Sequence, residues 1–576
     1  MLAKINKLTA FQVAIILFVL GFAVYFSGLA NQFQADDFTQ ITNAVPVHSI
    51  TNIKLFFEGG TFYNGQGIAP LSGPYFRPLE TIAYSLIYEL FGLHVMAYHI
   101  VQLLLCIGCA TLLYMVFRYS FSVLLALLLA IIFLIHPINS ETVFAIPHMV
   151  DALFFFFGIL AIWLLLRFKS VKSLWLVILC LFLSMLSKET AIVFIAMALL
   201  YLFWFNRDRL YWFIGFMVLP VTVYLILRIN AIGLIVHTYS APVDGLSISG
   251  RLLTSPSILL FYLTKFIFPW RLVSTYNWVY PAYSFQHVLL PLLIDLAVIG
   301  LTIYLAYVVH QKASKEQFFT YLFFAFWAFI SLIPYLQIIP LDMTASETWF
   351  YLSMAGWLGM IGVILVTFQS RIRPDWLLAV AVILIILFGL RAGLRGLDWR
   401  NEYALASTDL AASKEDYGAY EDLANYYLNN GDYAQAKTDA LRSIAIFPTY
   451  TSYDNLGLTL TYQGNYPGAI NAYEKAISYD NNYLIYNNIA QLTLLYGSYN
   501  SNRQTLRSLL EKLPDDPVIW MYKALLQDSN GDNADAKISI TNAVKYGQVP
   551  SFIYDNIMAD NSFTILINGA KPINIP

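Results

Sequence analysis

The sequence predicts an all-α protein in two parts, a polytopic membrane domain of about 11 spans followed by a tetratricopeptide-repeat α-solenoid. Three observations predict this. Hydrophobic residues make up 59% of the 576-residue chain and charged residues only 12%, which is unlike a soluble enzyme and fits many spans joined to a smaller water-soluble part. The apolar runs stop near Arg395-Gly-Leu-Asp-Trp-Arg400, where polar, Tyr- and Asn-rich amphipathic segments take over. Beyond that point Gly431-Asp-Tyr433, Gly464-Asn-Tyr466, Gly497-Ser-Tyr499 and Gly531-Asp-Asn533 recur at nearly the 34-residue period of tetratricopeptide repeats. A net charge of −2 gives no sign of a nucleic-acid partner. Cys106, Cys109 and Cys180 lie inside apolar runs, without metal or disulfide spacing, and read as packing residues.

Taken in order, Met1–Lys7 and the run over 8–29 look like a signal sequence, but the run is long enough to span and has no small-residue cleavage site, so it reads as a retained anchor. Further spans fall at 95–117, 121–136, 150–167, 172–187, 190–206, 210–228, 287–309, 317–336, 347–369 and 375–391. Lys4/Lys7, Arg118, Arg167/Lys169/Lys172, Arg207/Arg209, Lys312/Lys315 and Arg371/Arg373 then share one side, which the positive-inside rule makes cytoplasmic. The apolar stretch Leu253–Phe268 would invert the later charges if it crossed, so it reads as re-entrant or interfacial. The N-terminus is expected in the cytoplasm. The loops holding Asp36, His136, Lys188 and Glu347, and the C-terminal repeats, are expected on the other face. The domain boundaries follow: a membrane domain over 1–395, a linker over 396–416, about four repeats over 417–550 and a tail or cap over 551–576. Such a solenoid commonly binds an extended peptide or partner protein.

Several polar groups stand where spans meet loops. Asp36-Asp37 opens the first long loop, where Asp36 is either a reactive carboxylate or a helix cap. Arg77, Lys188 and Arg228 are cations on the side disfavoured for positive charge, suited to a developing anion or to snorkelling towards headgroups. Ser187-Lys-Glu-Thr190 also reads as a helix start, and Thr344-Ala-Ser-Glu347 as a capping box. His136, Glu141, His148 and Asp151 surround one short loop. Their spacing matches no zinc motif, so they read as the polar wall of a substrate cavity rather than a metal site. His99, early in the second span, is either a packed histidine or part of that wall.

In this order, Ala35-Asp36-Asp37, Phe76-Arg77-Pro78-Leu79, Phe91-Gly-Leu-His94 with His99, His136-Pro137-Ile-Asn-Ser-Glu141 with Asp151, Ser187-Lys188-Glu189-Thr190, Ala345-Ser-Glu347 with Tyr351-Leu352-Ser353, and Asp398-Trp399-Arg400 before the repeats resemble one family. It is the transmembrane and tetratricopeptide-repeat O-mannosyltransferases of the GT-C class, including its bacterial relatives. Thr348 departs from the family, which usually has Arg there. The resemblance implies inverting transfer of a sugar, with mannose favoured, from a polyprenyl- or dolichyl-phosphate donor to a hydroxyl of an exported protein or glycan. Asp36 or Asp37 would be the general base. Arg77, Lys188, Arg228, Glu347 and Tyr351 would contact the donor phosphate or sugar, and His99, His136, Glu141 and Asp151 would line the cavity. No cofactor beyond the lipid donor is implied, and a divalent metal is not favoured. Membrane lipid, the lipid-linked sugar and an acceptor protein or peptide held by the repeats are the expected partners. Low lysine content and the family's bacterial members point to a bacterial plasma membrane. The competing readings are a non-enzymatic membrane-anchored repeat scaffold for envelope-protein assembly and a lipid-linked sugar translocator. The first needs only one span; the second predicts charge pairs near mid-membrane.

Overall fold

The structure is a computed structural model describing residues 8–63, 68–233, 241–371, 373–479, 483–547, 549–565 and 573–575. Lys4, Lys7 and part of the expected 551–576 tail lie outside the described residues. The chain forms two compact units: residues 1–40, 47–61 and 73–412 make the first, and residues 41–46, 62–72 and 413–576 the second.

The described part of the first unit is built of helices joined by loops. In chain order it contains α1 (Ala10–Tyr25), α2 (Pro78–Phe91), α3 (Val95–Phe117), α4 (Val123–Ile135), α5 (Ser140–Phe144), α6 (Met149–Arg167), α7 (Leu174–Ser187), α8 (Ile192–Phe205) and α9 (Arg207–Ile232). These are followed by α10 (Ile248–Ile267), α11 (Leu290–Lys312), α12 (Lys315–Ile330), α13 (Tyr351–Thr367), α14 (Pro374–Asp398) and α15 (Glu402–Ala412). Eight helical segments among the described residues are long and apolar enough to cross a bilayer, and a ninth if the bent pair 123–135 and 137–144 is one span. The chain is an integral, multi-pass membrane protein. All eleven expected spans meet a helix, but three differ in form. The 121–136 segment continues past His136-Pro137 at a 51° bend, because the residue before a proline is driven to extended backbone and His136 has ψ 128°. Helices α7 and α8 have 14 residues each, short of the roughly 20 that a straight crossing needs. Leu253–Phe268 lies mostly in α10, which carries Pro256 and is not one of the eight long apolar helices.

Close packing holds this bundle. A Cβ on Gly356 of α13 would lie 2.4 Å from the Ala328 backbone nitrogen of α12, so only glycine permits that approach. Beside it the Ser353 hydroxyl donates to the Ala328 carbonyl (2.6 Å) and the Trp327 indole donates to the Leu352 carbonyl (2.9 Å). Polar side chains likewise satisfy the backbone where helices break. The Gln102 amide donates to the Thr142 carbonyl within α5 and to the Ala145 carbonyl just after it (2.6 and 2.7 Å).

The second unit stacks four helical hairpins: α16 (Tyr417–Asn429) with α17 (Tyr433–Ile446), α18 (Tyr450–Tyr462) with α19 (Tyr466–Tyr479), α20 (Tyr483–Leu492) with α21 (Tyr499–Lys512), and α22 (Pro517–Ser529) with α23 (Asn533–Tyr546). The recurring glycines explain the period. Gly431, Gly464, Gly497 and Gly531 occupy the hairpin turns with φ of 78°, 74°, 100° and 81°, a left-handed state that glycine adopts without a Cβ clash. Small residues Ala436, Ala469, Ala490, Ala524 and Ala536 are fully buried between helices. After α24 (Ser551–Ala559), β1 (Phe563–Ile565) pairs antiparallel with β2 (Ile573–Ile575), Phe563 opposite Ile575.

Candidate functional site

The first loop is positioned by the last long helix. Ser27 Oγ donates to the Gly393 carbonyl (2.9 Å), the Asn31 amide to the Gly396 carbonyl (3.2 Å) and Gln32 N–H to the Arg400 carbonyl (3.2 Å). The Gln34 amide reaches the Trp399 carbonyl (2.5 Å). The end of α14 thus holds residues 27–34 in place. Ala35 follows with φ 46°, an uncommon state for a residue bearing a Cβ. The turn sends the two carboxylates to different surroundings. Asp37 is 3% exposed and accepts the Gln34 N–H at 2.8 Å; burial raises its pKa to about 8. Asp36 is open to solvent, and no hydrogen bond reaches its carboxylate among the described residues. Its atoms meet water, yet the surrounding protein still raises its pKa by desolvation, and the Asp342 charge adds to the effect, against His148 and Arg77. The carboxylate of Asp36 caps no helix; its backbone carbonyl takes the Thr39 and Gln40 N–H groups.

A charged network stands beside Asp36. Lys188 Nζ is 2.6 Å from Asp151 Oδ1, and both are buried. His148 bridges two acids, with Nδ1 3.4 Å from Asp151 Oδ2 and Nε2 3.2 Å from Glu141 Oε1. Arg77 ends the approach to α2 with its guanidinium 4.0 Å above the Tyr75 ring and its Nε 3.9 Å from Glu189 Oε2. Tyr75 in turn donates to Asp342 Oδ2 at 2.7 Å. Glu80, one turn into α2 and 1% exposed, accepts from Tyr84 at 3.0 Å; burial lifts its pKa to about 7, against the Arg77 charge. Five of the expected residues, Asp36, Arg77, Glu141, Asp151 and Lys188, therefore share one electrostatic neighbourhood. Ser187 closes α7 and donates to the Leu183 carbonyl, so it does not start a helix.

Other expected site residues sit elsewhere. Glu347 accepts from Tyr276 (2.7 Å) and Val273 N–H (3.0 Å), so the capping box from Thr344 does not form. It remains within electrostatic reach of Glu141. Tyr351 is packed in the helix core, its ring 4.8 Å from Phe133 and 5.1 Å from Phe155, which leaves it no exposed face for a phosphate or sugar. His136 is fully buried, with Nε2 3.0 Å from the Phe266 carbonyl, so the structure does not bring it to Glu141 and Asp151. His99 is fixed by the Asn31 carbonyl at 3.2 Å and supports the first loop from beneath. Arg228 donates to the Gly233 carbonyl at the end of α9 (3.0 Å). Among the described residues no group of three or more His, Cys, Asp or Glu is arranged to hold a metal ion.

The sequence reading passed over Glu80, Tyr84 and Asp342. An acid in the first turn after Arg-Pro is an ordinary helix-start feature, which hid Glu80. Asp342 is 306 residues from Asp36, and no local pattern links them.

Comparison with known proteins adds three findings. Residues 77–231 match a family model described as dolichyl-phosphate-mannose-protein mannosyltransferase, and residues 417–450 and 451–483 match tetratricopeptide-repeat models. A curated protein O-mannosyl-transferase from Caenorhabditis elegans is 22% identical over 462 residues, 76% of this chain; the chain spans 63% of that relative's length. The crystal structure of ArnT from Cupriavidus metallidurans in the apo state aligns with TM-score 0.38 and 13% identity over 83% of this chain and 78% of its own. The undecaprenyl phosphate-bound structure gives 0.35 and 14% over 84% and 80%. Likeness at these scores is too slight to bear on the site. Residues 77–231 are thus similar to a mannosyltransferase domain, tetratricopeptide repeats follow them, and most of the chain is distantly similar to a protein O-mannosyl-transferase.

Proposed function

We propose that this protein is a membrane glycosyltransferase that moves a sugar, mannose being favoured, from a polyprenyl- or dolichyl-phosphate donor to a hydroxyl of an exported protein or glycan. The observation that carries the reading is the split between the two aspartates. Asp37 is buried and tied into the turn, while Asp36 presents an unbonded carboxylate to solvent beside Arg77 and His148. Asp36 is the general base in this mechanism. The acceptor oxygen attacks the anomeric carbon, its proton passes to Asp36, and the bond from that carbon to the phosphate oxygen breaks with inversion. The leaving lipid phosphate carries the displaced electron pair. Arg77 is the better phosphate partner, because its nearest carboxylate is 3.9 Å away. Lys188 is committed to Asp151 at 2.6 Å and acts mainly by holding that acid and His148 in place. A raised base pKa means that activity falls on acidification above the ordinary carboxylate range. The repeats hold the acceptor, and the loops carrying Asp36, Lys188 and Glu347 face away from the cytoplasm.

The test is transfer of labelled mannose from a polyprenyl-phosphate donor in membranes holding the full chain or Asp36→Asn. The variant keeps size and hydrogen bonding but removes the base, so transfer should fall about 10²–10⁴-fold with insertion unchanged. Undiminished transfer would remove Asp36 from this role. No transfer by the unaltered chain from any lipid donor would favour the scaffold reading.

A further inference from the structure

A second cluster of charge lies around Glu347, at the same end of the bundle as the first loop, since residues 27–34 bond along Gly393–Arg400. Four cations meet there. Lys265, at the end of α10, is an electrostatic neighbour of Arg271, Arg391, Arg395 and Glu347. Arg391 Nε donates to the Trp270 carbonyl at 3.0 Å, and Lys265 Nζ donates to the Arg271 carbonyl. Three acids face them, Glu347, Asp398 and Asp409. Much of their hydrogen-bonding capacity goes to neutral donors. Glu347 is bonded to the Tyr276 hydroxyl and the Val273 N–H, and Asp409 to the Ser274 N–H and hydroxyl. Asp398 is at ion-pair distance and is shared by two arginines, Arg395 at 3.3 Å and Arg391 at 3.8 Å.

Arg395 stands apart within this cluster. It is 0% exposed, and its Nε and Nη2 find no acceptor among the described residues. A buried guanidinium with two unused donors, in a cluster with more cations than acids, suits an oxyanion that accepts from several N–H groups at once. The adjoining surface is apolar. Ile267, Phe268 and Trp270 are 60%, 76% and 72% exposed, and Leu387, Leu390 and Leu394 of α14 are 52–62% exposed. A hydrocarbon chain would cover such residues while its headgroup met the cations.

We propose that Lys265, Arg271, Arg391 and Arg395 form a binding site for the phosphate of a membrane lipid, separate from the Arg77–Lys188 cluster. The inference concerns binding alone and stands whether or not the transfer reaction proposed above is correct.

The test uses the full chain in phosphatidylcholine nanodiscs, labelled with farnesyl phosphate carrying a photoreactive group on its tail, the attachment sites being read by peptide mass spectrometry. Labelling is expected over 265–276 and 383–399. Arg391→Gln and Lys265→Gln, two partly exposed positions, should each lower it about tenfold while the protein stays monodisperse. Arg77→Gln should leave it unchanged. Labelling confined to segments around Arg77 and Lys188, or equal labelling of the two glutamine variants and the unaltered chain, would overturn the proposal. Inorganic phosphate at tenfold excess should not compete; competition as strong as that of unlabelled farnesyl phosphate would show a free-anion site and overturn the lipid assignment. Nanodiscs rich in phosphatidylglycerol separate the supporting outcomes: suppressed labelling assigns the site to bulk phospholipid, and undiminished labelling to an isoprenoid phosphate.

Discussion

Asp151 in the membrane unit and Glu421 in the repeat unit are held in opposite ways. In the membrane unit Asp151 is held by a lysine and a histidine at 2.6 and 3.4 Å, so its charge is answered by charge. In the repeat unit the half-buried Glu421 and Asp454 are held by neutral donors. Glu421 of α16 accepts from the Thr449 and Ser443 hydroxyls, and Asp454 of α18 from the Asn488 amide at 3.0 Å. The difference follows from what each site must do. A lysine in the membrane unit is expensive unless paired. The repeats need bonds that recur with the period. Asn455 donates to the Glu421 carbonyl and Asn488 to Asp454, each partner 34 residues away, on the first helices of neighbouring hairpins.

The sharpest way to break this comparison is to strip the pair in the membrane unit. Lys188→Met should leave Asp151 buried with only His148, costing roughly 3–5 kcal/mol and lowering the yield of folded protein. Adding Asp151→Asn to that variant should recover most of the loss, since two neutral groups replace one uncompensated charge. A double variant no more stable than Lys188→Met, read by thermal unfolding in detergent, would mean the pair matters for packing rather than charge. Loss of transfer in a well-folded double variant would tie the pair to the reaction.

A second experiment separates the units by task. Removing residues 413–576 takes away all four hairpins and should leave lipid-donor binding intact. Transfer to a protein acceptor should fall roughly tenfold or more, the loss expected when a tethered site no longer raises the local concentration of its ligand. Equal loss of donor binding and transfer would assign the repeats to folding of the whole chain.

How much of this was legible in the sequence depended on the range of the signal. The spans and the repeats are periodic and local, so the helices and the glycine turns at Gly431, Gly464, Gly497 and Gly531 could be anticipated. The bend at His136-Pro137 was also written locally, yet a window of apolar residues does not register it. The site was half legible. Arg77, Lys188 and Asp151 could each be suspected from their position at a span end, but not the 2.6 Å pairing of two residues 37 apart. Asp342 beside Asp36, and Arg395 beside Glu347, are long-range meetings that only packing of several helices creates. Tyr351 shows the converse: it stands one turn from Glu347, but the turn it occupies faces the core.

The smallest effect is the most direct reading of the neutral-donor strategy. Burial raises the Glu421 pKa to about 7, its hydroxyl partners offsetting only part of the cost, and Asp454 is raised to about 6. The folded repeats therefore hold protons that the unfolded chain, with ordinary carboxyls near 4.3 and 3.9, has released. The sign is that of a raised acid: the contribution is fully present below the unfolded value and is lost as pH rises through about 7 for Glu421. Amide protection of α16 and α18, corrected for intrinsic exchange and measured in the full chain, should fall between pH 5 and pH 8. Glu421→Gln keeps an acceptor for Thr449 but cannot ionise, so it should flatten that fall and leave only the weaker part due to Asp454. An unchanged slope in Glu421→Gln would mean that Glu421 is already charged in the folded repeats, and that hydroxyls alone can hold a carboxylate where the membrane unit uses a lysine.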